Sequence, residues 1–112
     1  MSQITAHILD TSKGVAVSKV RLTLFNMQHG QWIEMAVSET DNDGRVKDLL
    51  RTTTPLTMGM YKLRFDTKDY FEKQQIPTFY PFVEIVVDIT TEQHYHIPLL
   101  LSPFGYSTYR GT

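Results

Sequence analysis

Hydrophobic and polar residues alternate with a period of two along most of the chain, as in strands that bury one face. Ile4, Ala6 and Ile8 alternate with Thr5, His7 and Leu9, and Asp10-Thr11-Ser12-Lys13-Gly14 then supplies a turn or loop. Val20, Leu22 and Leu24 alternate with Arg21, Thr23 and Phe25. After Gln28-His29-Gly30 the run from Gln31 to Val37 alternates again, which places Ile33, Met35 and Val37 on one side. Asp41-Asn42-Asp43-Gly44 is a strong turn signal, because Asx side chains and glycine accept the backbone angles a tight turn needs. Arg45 then opens a possible strand. Tyr61, Leu63 and Phe65 mark another, as do Val83, Ile85, Val87 and Ile89, and then Tyr95, Ile97, Leu99 and Leu101. A last short strand is expected from Tyr106 to Arg110, after the break at Ser102-Pro103.

One segment departs from this period. Asp66 to Gln75 has a capping-type start at Asp66 or Thr67, adjacent aromatics at Tyr70 and Phe71, and no β-branched run. It predicts one short helix that ends before Pro77. Seven or eight short strands, frequent turns and a single helix predict an all-β fold, a sandwich or barrel.

Length and composition narrow the function. At 112 residues the chain is one domain, 1–112, large enough to bury roughly two-thirds of its unfolded surface. It should fold without disulfides or a structural metal. The absence of cysteine excludes a thiol nucleophile and every thiolate metal site. A net charge of −1 with no run of basic residues argues against nucleic acid as partner. No apolar stretch approaches the roughly 18 residues that span a bilayer. Met1-Ser2-Gln3 leads straight into a strand-like segment, so no signal peptide is expected. The ending Arg110-Gly111-Thr112 is not a peroxisomal address, which makes the cytoplasm the expected compartment.

His94 and His96 lie two apart on a strand, so both rings point to the same side. With His7 from another strand they would form three imidazoles, a set that can hold a catalytic zinc. Without metal, two histidines and an arginine make a hydrolytic set. A neutral imidazole takes a proton from water near neutral pH, and a guanidinium holds developing negative charge. Arg45, just after the Asp43-Gly44 turn, is placed for that role. Each of these residues also has a plain reading as a solvated or hydrogen-bonded surface group. Glu39-x-Asp41-x-Asp43-Gly44 superficially looks like a calcium loop, but loop position twelve holds Leu50 and no helices flank it. No nucleophile elbow, phosphate loop or flanking carboxylate pair is present. Trp32, the single tryptophan, sits in a strand pattern and reads as core or interface packing. The strand with His94, His96, Pro98 and Leu100 on one face is polar at one end and apolar at the other. That face is expected to be covered by another subunit, which would turn a flat sheet into a concave site.

The ending from His94 to Thr112, with His94-Tyr95-His96-Ile97-Pro98-Leu99-Leu100 and Tyr109-Arg110-Gly111-Thr112, closely resembles that of the 5-hydroxyisourate hydrolases of the transthyretin-like family. Thr5-Ala6-His7-Ile8-Leu9-Asp10-Thr11 looks like the N-terminal motif of that family, and Asp43-Gly44-Arg45 like its middle one. Asp66 to Phe71 falls where the family has its short helix. The resemblance implies a transthyretin-like (prealbumin-like) sandwich of two four-stranded sheets, assembled as a homotetramer, a dimer of dimers with sites between subunits. It implies cofactor-free hydrolysis of 5-hydroxyisourate in urate degradation. By motif position His7, Arg45 and His96 match the essential triad, and Tyr109, Arg110, Gly111 and Thr112 match a tetrapeptide lining the same cleft. His94 matches a less critical histidine. The family usually ends in serine where this chain has Thr112, which keeps the hydroxyl and adds a methyl group. Transthyretins proper share the fold as hormone carriers and lack the His, Arg, His set.

Overall fold

The computed structural model describes residues 2–51 and 53–112. Met1, the first residue of the expected start, lies outside them. The chain runs β1 (Ile4–Asp10), β2 (Val15–Ala16), β3 (Arg21–Gln28), β4 (Gln31–Glu39), β5 (Arg45–Val46) and β6 (Gly59–Phe65). It continues with α1 (Lys68–Glu72), β7 (Val83–Ile89), β8 (Tyr95–Ser102) and β9 (Gly105–Thr108).

Two sheets face each other. One has the order β4-β3-β6-β7, antiparallel throughout. In the other, β1 and β8 pair in parallel at the centre, with β9 on the far side of β8. Two short strands share the free edge of β1: β2 pairs with Leu9 and Asp10, and β5 with Ala6 and His7. The second sheet therefore has five strands but is four strands wide, its fourth column split in two. The expected transthyretin-like sandwich is borne out with that refinement.

The period-two pattern becomes the core directly. Ile4, Ala6 and Ile8 from β1 and Tyr95, Ile97, Leu99 and Leu101 from β8 meet Leu22 and Leu24 from β3 and Tyr61, Leu63 and Phe65 from β6. Each fully buried Ile, Leu or Phe side chain among them contributes roughly 1.5–3 kcal/mol.

Three local expectations are corrected. A register shift between Leu24 and Phe25 adds one residue to β4, so Ala36 pairs with Leu24 but Glu34 with Phe25. Val37 then lies across from Thr23 and Ile33 across from Asn26, on opposite faces, because paired residues share a face and the bulge breaks the alternation. The helix is five residues long rather than spanning Asp66 to Gln75. Gln75 adopts a left-handed φ of 57°. The Ile76 N–H donates to Phe71 O and the Gln75 N–H to Glu72 O, a Schellman closure that ends the helix early. Thr67 is the N-cap, yet its hydroxyl makes no capping bond. The last strand ends at Thr108 instead of Arg110.

α1 still serves the fold. Phe71 is fully buried, and the Tyr70 hydroxyl donates to Asp10 at the end of β1. Burial acts to raise the Asp10 pKa, but hydrogen bonds from Ser12 and Tyr70 outweigh it and hold the carboxyl below its ordinary range. Trp32 is half-buried beneath the Lys62 ammonium, on the outer side of its sheet.

Candidate active site

On the outer face of the β1/β8 sheet, three strands bring the predicted residues together. Thr5 and His7 alternate with the core residues of β1 and so point away from the core. Parallel pairing sets Thr5 beside His96 and His7 beside Pro98. Antiparallel pairing sets Arg45 of β5 directly opposite His7. The His7 and His96 rings stack with centroids 6.5 Å apart and planes 27° apart, and His94 and His96 follow at 6.4 Å and 25°. Three imidazoles thus stand in a row with His96 in the middle.

The turn before β5 is built to present Arg45. The Asp41 carboxylate accepts from the backbone N–H of Asp43 and of Arg45, at 2.9 and 3.0 Å. The bond from Arg45 is the main reason the Asp41 carboxyl is held below its usual range. Gly44 has φ +74°, and its carbonyl accepts from Ile8 N–H at 2.8 Å. A Cβ there would stand 2.7 Å from the Ile8 carbonyl oxygen, so only glycine lets the turn close onto β1.

A second glycine works on His96. The Gly111 N–H donates to His96 O at 2.8 Å, and the two residues form a bridge beyond the end of β9. A Cβ on Gly111 would lie 2.7 Å from His96 Cδ2 and 3.3 Å from Cγ. The chain terminus is therefore folded directly over the imidazole, which any side chain at 111 would displace.

His7 and His96 are both disposed to be neutral at neutral pH. Burial, then the Arg45 cation, lowers the His7 pKa, against raising contributions from an Asp43 backbone hydrogen bond and the Asp41 and Asp43 carboxylates. Burial likewise lowers His96, followed by Arg45, His7 and His94. Both act through the cost of placing a further positive charge in a partly desolvated, cationic surround.

A cavity of about 170 Å³ opens at this point, lined among others by Thr5, Arg45, Lys47, His94, His96 and Thr112. The predicted cleft set does not all converge there: His7, Tyr109 and Arg110 are not among its lining residues. Tyr109 and Arg110 line a neighbouring hollow of about 360 Å³ with Val86, Asp88 and Tyr95, and His96 borders both. Arg110 stacks over the Tyr95 ring at 4.3 Å. A larger hollow of about 600 Å³ lies beside α1, lined by Lys19, Arg21, Glu39, Asp66, Asp69 and Lys73. It contains no imidazole and no convergent catalytic set. Among the described residues, no group of three or more His, Cys, Asp or Glu side chains is arranged to hold a metal ion.

Two residues were missed in the sequence. Lys47 lines the cavity two residues after Arg45 on the same edge. The Thr5 hydroxyl lies 2.8 Å from His94 Nε2 and 2.7 Å from His96 Nδ1. Its position two residues before His7 already placed it on the functional face. The pairing that carries it to the histidines spans about ninety residues of chain and left no local trace.

The sequence profile of the HIUase/Transthyretin family matches residues 4–111. The mouse 5-hydroxyisourate hydrolase is 44% identical over 99% of this chain and 96% of its own. Among solved structures, sea bream transthyretin in complex with thyroxine superposes with a TM-score of 0.92 at 32% identity, covering 99% of this chain and 96% of that one. The Klebsiella pneumoniae 5-hydroxyisourate hydrolase gives a TM-score of 0.80 at 29% identity, over 97% and 92%. With the family profile matched almost end to end and a relative of this identity over nearly the whole chain, the protein belongs to the HIUase/Transthyretin family.

Proposed function

We propose that this protein hydrolyses 5-hydroxyisourate in urate degradation, opening the six-membered ring without a cofactor to give 2-oxo-4-hydroxy-4-carboxy-5-ureidoimidazoline. The observation that carries the reading is the stacked His7/His96 pair with Arg45 directly opposite His7. In the mechanism, a water molecule sits between the two imidazoles. One of them removes its proton as the water oxygen attacks the lactam carbonyl carbon. The ring C–N bond then breaks, and the proton taken from water passes, with the help of the other imidazole, to the leaving nitrogen. Arg45 grips the polar edge of the flat bicycle with its planar fork of donors and favours its anionic form. Thr112 borders the cavity holding Arg45 and His96, and Gly111 packs on His96. Tyr109 and Arg110 form the far wall of the same cleft when subunits associate.

A homotetramer, a dimer of dimers with sites between subunits, fits the dimensions of the cavity. At about 170 Å³ it is smaller than the roughly 300–1,000 Å³ of an ordinary small-molecule site. A second subunit over this face would complete it. Residues 1–112 act as one domain, and the expected compartment is the cytoplasm. Among the described residues no helix is long and apolar enough to cross a membrane.

The likeness to sea bream transthyretin raises a carrier as the second reading. Backbone shape is common to both activities, whereas the row of imidazoles beside a guanidinium favours hydrolysis. The deciding experiment generates 5-hydroxyisourate in place with urate oxidase and follows its absorbance, with a chelator present. Decay well above the spontaneous rate, lost in His96→Ala, is the expected result. Decay at the spontaneous rate with chelator and with added zinc would leave the carrier.

A further inference from the structure

Thr5 is 4% exposed, and its hydroxyl touches a ring nitrogen of two different histidines. A hydroxyl has one proton to give and two lone pairs, so it cannot donate to both imidazoles, and at least one ring nitrogen must carry an N–H from which it accepts. When its own proton is used within this pair of contacts, the two rings take complementary roles. If Thr5 accepts from Nδ1–H of His96, it donates to Nε2 of His94. The reverse arrangement leaves Nε2 of His96 protonated and without a lone pair.

The surroundings choose between these. Thr5 occupies Nδ1 of His96, and Gly111 covers Cδ2 and Cγ, which leaves Nε2 as the one ring nitrogen available to the cavity. That cavity also holds the cations Arg45 and Lys47. A lone pair is favoured over an N–H dipole facing positive charge. His94 is exposed, and water satisfies it in either tautomer.

We propose that Thr5 is a positioning residue, holding His96 in the Nδ1–H tautomer with Nε2 free as proton acceptor, and linking His96 through its hydroxyl to the solvent-exposed His94. When Nε2 of His96 takes a proton from water, the Nδ1 proton moves to the Thr5 oxygen and the hydroxyl proton moves to Nε2 of His94. The positive charge thus passes from His96 to the solvent-exposed His94. No bond other than these N–H and O–H bonds changes.

The catalytic half of this proposal rests on the hydrolase reading, while the tautomer half does not. Two variants test it: Thr5→Val, which keeps the shape and removes the hydroxyl, and Thr5→Ser, which restores it. Their melting temperatures should match the wild type closely enough to show folded protein. The first readout is the ¹⁵N chemical shifts of the His96 ring, which report which nitrogen is protonated. Wild type and Thr5→Ser should show Nδ1–H, and Thr5→Val should shift toward Nε2–H. The second is the 5-hydroxyisourate assay, in which Thr5→Val should lose about tenfold or more in kcat with KM little changed. Thr5→Ser should recover most of that loss. Adding His94→Gln to Thr5→Val should cost nothing further, since the link is already cut. The pH profile of Thr5→Val should move relative to wild type, measured against the same His7, His94, Arg45 and Lys47. Unchanged ¹⁵N shifts in Thr5→Val would overturn the proposal, as would wild-type kcat and pH profile in that variant. Should wild type itself fail to accelerate decay, the hydrolase reading falls and the ring shifts alone decide the tautomer.

Discussion

The outer faces of the two sheets carry similar residue types and treat them oppositely. On the β4-β3-β6-β7 sheet Lys62 and Arg64 are each matched. Lys62 lies 3.3 Å from Glu84 and over the rings of Phe25 and Trp32, each at 4.8 Å. Arg64 pairs with Asp66 at 3.0 Å and stacks on Phe82 at 3.9 Å. On the β1/β8 sheet Arg45 forms none of the ion pairs found among the described residues, and faces imidazoles instead. A matched cation has spent its field on its partner. An unmatched one beside two imidazoles still projects its field, lowering their proton affinity and remaining available to an anion. The difference separates a face that is merely solvated and packed from one prepared for chemistry.

The comparison breaks most visibly at Arg45. Arg45→Ala should reduce kcat/KM at least a hundredfold with little change in melting temperature. Near-normal turnover would show that the unmatched guanidinium is incidental. Lysine is not expected to rescue it, because a point charge lacks the planar fork.

Gly111→Ala should come next, at about tenfold or more in kcat, because the new methyl group must displace the His96 ring. Chemical shifts of the His96 ring would report the displacement directly, and an unmoved ring with full activity would remove the terminus from the site.

The pH dependence should separate the faces more gently. Hydrolysis needs neutral imidazole, and both rings are held below the ordinary value of about 6.5. Activity should therefore persist as pH falls to that value and decline only below it. In Arg45→Ala the two pKa values should rise, which NMR titration can follow even if turnover is lost. The sign for stability is the same. Below about pH 6.5 the unfolded chain binds protons at these rings more readily than the folded one, so stability drops as pH falls through their lowered values.

The smallest effect belongs to the other sheet. Lys62→Met should change stability by about 1 kcal/mol or less and leave turnover unaltered. A loss of activity there would mean that the matched face also takes part, for instance by holding subunits together.

Much of this molecule can be read along the chain because strand burial is a local, periodic property. Ile4, Ala6 and Ile8, or Tyr61, Leu63 and Phe65, declare a buried face within five residues. Where the reading slipped in β4, the cause lay across the strand, because the bulge answers to the register of β3. The helix slip is local: α1 is cut short by the left-handed Gln75 and its Schellman bonds. Two-residue strands such as β2 and β5 exist only because β1 offers them an edge.

The site divides in the same way. Sequence by itself determined which groups were available: imidazoles at 7, 94 and 96, a guanidinium presented by the Asp41 to Gly44 turn, and a glycine at 111. It also determined that His7 shares its face with Thr5, since alternation along one strand is set by backbone geometry. Only the tertiary structure decided that Thr5 joins His94 to His96, that Gly111 lies on the His96 ring, and that Tyr109 and Arg110 face a separate hollow. Those contacts depend on the parallel pairing of β1 with β8 and on the path of the chain after β9. Partners so far apart in sequence meet through the packing of the whole sandwich, and no short window of residues records it.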